Sequence, residues 1–337
     1  MISSISDLWK MIMSVRQAVM AVCLLGLSEI GMAAPEKIPE SVELAKSIPI
    51  ADVHMHLVNL SVADHQAQMD RNNVRWGGGV GPAGDKGLGP DEARKLLGNR
   101  YFFGLGQSEF NRVFYSSGPK GLVDPSSVAF VEMFSVADEM LANKKAYGFG
   151  ELHIDNSKSF STYQFARKVK FDNPVVRKIY ELANKHHAFV QFHMQGDDEN
   201  VQALERYLDE FPNAKTILSH SLPWASDVTY TGGKTLAHLL SKHPNLYLDM
   251  SRKGSVLNDK EAAQAFTRKG GPRGNWVARI EKFSDRFMLG SDTHAPDEHR
   301  YDDVMSEFRE GLLPYLQPAT VKKVAYENAV RVFGLKE

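Results

Sequence analysis

From residue 48 onward, short apolar β-prone runs alternate with amphipathic helical runs, and this alternation constrains the fold more than any other feature of the chain. The patterning predicts strands at 48–53, 74–79, 100–106, 147–153, 188–193, 215–220, 245–250 and 286–292. It predicts helices at 61–72, 91–97, 125–143, 174–187, 198–211, 235–242, 273–283 and 301–312, and one more at 318–333. Eight strands each followed by a helix, over about 290 residues, is the count and length of an α/β (β/α)8 TIM barrel, here with a C-terminal extra helix. Asp91 and Asn173 are expected to cap helices, Asn173 because Pro174 follows at the first helical position. A doubly wound open sheet is the alternative, and the placement of the polar residues disfavours it. The Gly79-Val80-Gly81-Pro82-Ala83-Gly84 run has dinucleotide-site spacing, but the loop continues through Gly89-Pro90, so no helix opens to receive a pyrophosphate. It reads instead as a mobile loop at the barrel mouth.

Charge excludes some partners. Lys+Arg 40 against Asp+Glu 41 leaves a formal charge of −1, which offers no field for nucleic acid or an anionic membrane. At the N-terminus, Lys10 and Arg16 precede the apolar run 18–27, and the small residues Gly31, Ala33 and Ala34 follow. That order is expected of a secretory signal over residues 1–33, with Met13 as a second candidate start and a frayed amphipathic helix as the other reading. The expected product is a single barrel domain, 34–337, periplasmic or secreted, with no membrane attachment after cleavage. The one cysteine, Cys23, falls inside the apolar run, so the mature chain has neither disulfide nor thiolate chemistry and any metal must be held by histidine and carboxylate. A homo-oligomer is left open.

In a (β/α)8 barrel the chemistry lies where the strands end at the C-terminal face. Five strands end in an ionisable residue. Ile48-Pro49-Ile50-Ala51-Asp52-Val53 runs into His54 and His56, which share a face because strand side chains alternate. The fourth strand carries Glu151, Phe189-Val190-Gln191-Phe192 ends in His193, Thr216-Ile217-Leu218-Ser219 ends in His220, and Met288-Leu289-Gly290-Ser291 ends in Asp292. Singly, His193 and His220 read as ordinary core histidines, Asp292 as a turn cap and Glu151 as half of an ion pair. Jointly, at one edge of one barrel, they point to a metal site.

The order Asp52-Val53-His54-Met55-His56, Gly148-Phe149-Gly150-Glu151, His193, His220, Gly290-Ser291-Asp292 and a closing Glu327-Asn328-Ala329-x-x-x-Phe333 resembles the amidohydrolase superfamily, nearest its amidohydrolase-related (family 2) branch. The resemblance implies one or two divalent ions, zinc or manganese, with His54, His56, His193 and Asp292 as ligands. His220 would bind a second ion or contact substrate and water. Glu151 departs from many one-metal members: it would bridge two ions, or stand beside a single one, behind its ligands or against the substrate. His153, two residues on and on the same face, would be its partner or an extra ligand at the rim. The implied activity is hydrolysis of a small ester, lactone or amide-like substrate by metal-activated water, with Asp292 and His220 catalytic. Decarboxylation or hydration is the alternative within the superfamily, and a non-catalytic periplasmic binding protein is the alternative of another class. Arg75, Trp76, Trp224 and Arg252, near strand ends, are candidate substrate contacts. His294 and His299 are expected in loops, and His186 and His187 at a helix C-terminus need only the helix dipole.

Overall fold

The computed structural model describes residues 35–57, 61–81, 90–157, 166–222, 233–251, 267–268, 271–292 and 298–336. The expected signal, Trp224, Arg252, His294 and the later part of the Gly-rich run lie outside them, as does the side chain of His299.

Eight parallel strands form the barrel: β1 (Ile50–Asp52), β2 (Val74–Gly78), β3 in two segments (Tyr101–Phe102 and Gly104–Gly106), β4 (Gly148–His153), β5 (Phe189–His193), β6 (Lys215–Leu218), β7 (Leu246–Asp249) and β8 (Phe287–Met288). The first segment of β3 pairs with β2 and the second with β4, so the strand passes the ladder on across Phe103. From β4 each strand pairs with the next through β8. The ring closes at a parallel bridge between Asp52 and Leu289, where Val53 N–H donates to the Leu289 carbonyl at 2.9 Å.

The helices follow the strands largely as the periodicity predicts. They are α1 (Pro39–Ser47), α2 (Val62–Arg71), α3 (Pro90–Leu97), α4 (Gln107–Gly121), α5 (Val128–Ala142), α6 (Pro174–His186), α7 (Asp198–Glu210), α8 (Lys234–Lys242), α9 (Gly274–Lys282) and α10 (Glu298–Glu307, continuing into a π turn). The last, α11, runs from Pro318 to Phe333 through a π turn at Lys323–Glu327. Local chemistry starts them. Ser61 and Asp64 form a reciprocal capping box on α2, and the Asn173 side chain accepts from Val175 and Val176 N–H ahead of Pro174, each satisfying amides that a helix start leaves orphaned. Asp91 does not cap: it is the second residue of α3. Helices α1 and α4 are absent from the periodicity reading; α4 contains Ser116-Ser117-Gly118-Pro119, a breaker signal, and Gly118 indeed leaves helical geometry there.

Two hydrophobic layers result. The larger lies between strands and helices. The smaller fills the barrel interior, with Ala51, Val53, Trp76, Phe102, Phe189, Ile217, Tyr247 and Met288 meeting Ala329, Val332 and Phe333 of α11. Every strand except β4 contributes to it, and at β4 a side chain on Gly148 would strike Phe189. The extra helix therefore plugs the barrel interior. Asn328 fastens it, donating to the carbonyls of Ser284 and Phe287 at 2.7 and 2.9 Å.

Trp76 belongs to this plug. It is buried, its ring stacks on Tyr326 and its Nε1–H donates to the Lys336 carbonyl, so the expectation that it contacts substrate is corrected. Arg75 is the second residue of β2, toward the end of the strand opposite the C-terminal face, and is exposed with its guanidinium over the Trp76 ring at 4.7 Å, so it too is corrected as a substrate contact. The start of the Gly-rich run is no open loop either: Gly79 and Gly81 are buried and donate to the carbonyls of Phe102 and Gly150.

Candidate metal centre

Six of the side chains singled out in sequence converge beyond the C-terminal strand ends. His54 and His56 follow β1, Glu151 lies in β4, His193 ends β5, His220 sits in the turn after β6, and Asp292 follows β8. All are buried, none more than 6% exposed. The backbone is built to bring them in. Asp52 Oδ1 accepts from the N–H groups of both His54 and Ser291, and Asp292 N–H donates to the His54 carbonyl at 2.8 Å, so the ends of β1 and β8 are stapled together. Gly290 is required by close approach, since a Cβ there would lie 2.7 Å from that of His54.

The donor atoms form two groups that share Glu151. In the first, His54 Nε2 lies 3.3 Å from Glu151 Oε2 and 3.4 Å from Asp292 Oδ1, and His56 Nε2 lies 3.8 and 3.3 Å from the same two oxygens. In the second, Glu151 Oε1 is 3.2 Å from His193 Nδ1 and 3.3 Å from His220 Nε2, and those nitrogens are 3.2 Å apart. Donors about 2.1 Å from an ion in a tetrahedral shell stand about 3.4 Å from one another. The observed spacings match that edge.

Charge supports the same fit. Glu151, Asp249 and Asp292 surround His54, which can carry one positive charge at most, and burying carboxylates without compensation is strongly unfavourable. His54 Nε2 is buried with no hydrogen-bond partner although two carboxylates face it. Burial works against a proton on His54, but the carboxylates of Glu151, Asp249 and Asp292 outweigh it and hold its pKa well above the ordinary value. Burial lowers the pKa of His56 and His220. Glu151 is held well below the usual carboxylate range: burial pushes it up, and the charges and hydrogen bonds of His54, His153 and His193 outweigh that.

Asp249, at the end of β7, was missed in sequence although Leu246-Tyr247-Leu248-Asp249 is the same apolar run ending in a carboxylate. Its Oδ2 pairs with His54 Nδ1 at 3.0 Å and accepts from Gln191 at 2.8 Å. Its Oδ1 accepts from His220 N–H and from Ser251 N–H and Oγ, and Ser251 Oγ bonds His220 Nδ1 at 2.8 Å. One buried carboxylate thus orients an imidazole in each group, as outer carboxylates do for metal-bound histidines. Arg167, against His153, carries no sequence signal of a role here.

The sequence profile of the amidohydrolase family matches residues 51–335. Among solved structures, a candidate 2-pyrone-4,6-dicarboxylic acid hydrolase from Pseudomonas putida aligns with a TM-score of 0.55 at 15% identity, covering 86% of this chain and 99% of that one. An uncharacterised TIM-barrel protein from Bordetella bronchiseptica aligns at 0.51 and 13% identity, covering 80% and 82%. A dihydroorotase from Campylobacter jejuni aligns at 0.50 and 16% identity, covering 86% and 84%. At these identities the likeness is one of fold. No curated protein matches the sequence.

Proposed function

The chain belongs to the amidohydrolase family of metal-dependent enzymes, and from that premise we propose that it is a hydrolase whose two donor groups, with Glu151 common to both, would hold two divalent ions, and that it acts on a small ester, lactone or amide-like substrate. The observation that carries this reading is the division of Glu151: Oε2 serves the His54, His56 and Asp292 group, and Oε1 serves the His193 and His220 group. A histidine and carboxylate donor set suits zinc, with manganese the second candidate. Ions held there would supply Lewis acidity at a substrate oxygen and lower the pKa of water toward neutrality.

The chain's own groups do the rest. Asp292 presents Oδ1 to His54 and His56 and keeps Oδ2 on the His220 side, 4.0 Å from Nδ1. Oδ2 is therefore the oxygen placed to take a proton from water and return it to the leaving group. Asp249 holds His54 and His220 in orientation throughout. The order of Lys10, Arg16, the apolar run 18–27 and the small residues after it supports export to the periplasm or beyond.

The test is metal content per chain together with hydrolysis of a panel of esters, lactones (pyrone dicarboxylates among them), amides and phosphoesters, with and without chelator. Two ions and turnover that chelation abolishes are expected, and Asp292→Asn should abolish turnover. One ion per chain would move decarboxylation and hydration ahead of hydrolysis. A chain without turnover on any class would be a binding protein, and near-normal activity of Asp292→Asn would remove the assigned base.

A further inference from the structure

The last residue of β4, His153, has two ring nitrogens with different neighbours. Nε2 lies 3.1 Å from Glu151 Oε2, and Nδ1 meets Nη1 of Arg167. Glu151, His153 and His193 also lie close enough to share an ion, so proximity alone makes His153 a candidate ligand. The chemistry of Arg167 decides otherwise. A guanidinium has five N–H groups, no acceptor, and stays charged, so the nitrogen it meets must offer a lone pair. Nδ1 of His153 is therefore bare, and a neutral imidazole with a bare Nδ1 carries its proton on Nε2. That proton faces Glu151.

We propose that His153 is a hydrogen-bond donor to Glu151, locked in one tautomer, rather than a metal ligand, and that Arg167 is the positioning residue that sets the lock. Arg167 is itself held from two sides. It is 4% exposed, its Nη2 donates to Asn111 Oδ1 at 2.6 Å and its guanidinium lies over the Phe114 ring at 4.8 Å. Asn111 and Phe114 stand three apart on α4 and so share a face. Its backbone N–H donates to Asn156 Oδ1 and its carbonyl accepts from Asn156 N–H. The chain of contacts from α4 through Arg167 and His153 fixes the rotation of the Glu151 carboxylate. With one lone pair of Oε2 taken by His153, the carboxylate turns one oxygen to each donor group instead of chelating a single ion. The inference rests on the reading of Glu151 as the bridge.

The test uses full-length protein carrying 15N-labelled histidine and loaded with 113Cd, in which long-range proton–nitrogen spectra report each ring's tautomer and cadmium couplings report the ligands. The His153 ring is assigned by its loss in His153→Gln. A bare Nδ1, a protonated Nε2 and no cadmium coupling at His153, beside coupled His193 and His220, are expected. Arg167→Met should let the ring turn, so that the single Nε2-protonated form gives way to a mixture, and should weaken binding of the second ion by about 10–100-fold, while Arg167→Lys, which keeps a charged donor, should restore the single form. Cadmium coupling at His153, or a protonated Nδ1, would overturn the proposal, as would an unchanged tautomer in Arg167→Met. Should Arg167→Met not fold, Asn111→Ala loosens the same guanidinium, and the wild-type spectrum decides the tautomer by itself. Metal content separates the two readings: one ion per chain with His153 still uncoupled and Nε2-protonated would remove the bridge and leave the lock standing.

Discussion

Replacing Glu151 by Gln keeps the shape of the side chain and removes its charge and one of its two oxygen donors. Five imidazole nitrogens lie 3.1 to 3.8 Å from its carboxylate oxygens, so the change reaches both donor groups. An amide has one carbonyl oxygen to offer, and its NH2 cannot ligate. Metal content should fall from two ions to one. The metal-free protein should also be weakened. Removing one partner of a buried charge pair costs about 3–5 kcal/mol, and because Asp249 and Asp292 still face His54 at 3.0 and 3.4 Å, the low end of that range applies. At about 2 °C per kcal/mol for a chain of this size, a cost of about 3 kcal/mol lowers Tm by about 6 °C. The pH dependence gives the sign. The folded pKa of Glu151 is depressed below its ordinary value of 4.5, so its contribution is fully present above that pH and is lost as pH falls toward the folded value. Glu151→Gln should therefore separate most from wild type near neutrality and converge with it in acid. Thermal melts of chelator-treated protein across the acid range, paired with metal analysis of loaded protein, make the measurement. Two ions retained, or an unchanged metal-free Tm at neutral pH, would refute the reasoning.

The same network yields further expectations. Asp249→Asn removes the carboxylate that pairs with His54 Nδ1 and should weaken metal binding by about 10–100-fold in chelator competition, and unchanged affinity would deny it that role. In the metal-free chain His54 holds its proton above its ordinary pKa of 6.5, so metal uptake near neutrality must displace a proton; titration calorimetry in two buffers of different ionisation enthalpy should register the release. By the same sign, the stability that His54 contributes without metal is fully present below pH 6.5 and is lost as pH rises through the raised folded value, a loss that bound metal should mask. Phe333→Ala empties the plug where that ring meets Phe102 and Phe189; it should cost about 3–5 kcal/mol by denaturant unfolding while leaving metal stoichiometry unchanged.

Much of this is legible in the sequence alone, because it rests on local periodicity. Period-2 apolar runs and amphipathic helices name the strands and helices of a barrel, and parallel βα units place strand ends on one face. That is why His54, His56, Glu151, His193, His220 and Asp292 could be gathered from five separate segments. Asp249 carries the same signal, an apolar run ending in a carboxylate. Other features were decided by tertiary structure. Trp76, near a strand end in sequence, turns inward because the segment just after the closing helix, 260 residues later, brings the Lys336 carbonyl to accept from its Nε1–H. The pairing of His54 with Asp249 spans 195 residues. Arg167 reaches His153 only because α4, a helix that its own breaker residues conceal, supplies Asn111 and Phe114. Propensity and patterning act over one or two turns of chain. Which nitrogen of a buried histidine faces a carboxylate depends on rotamers set by packing, and those contacts exist only once the ring of strands has closed.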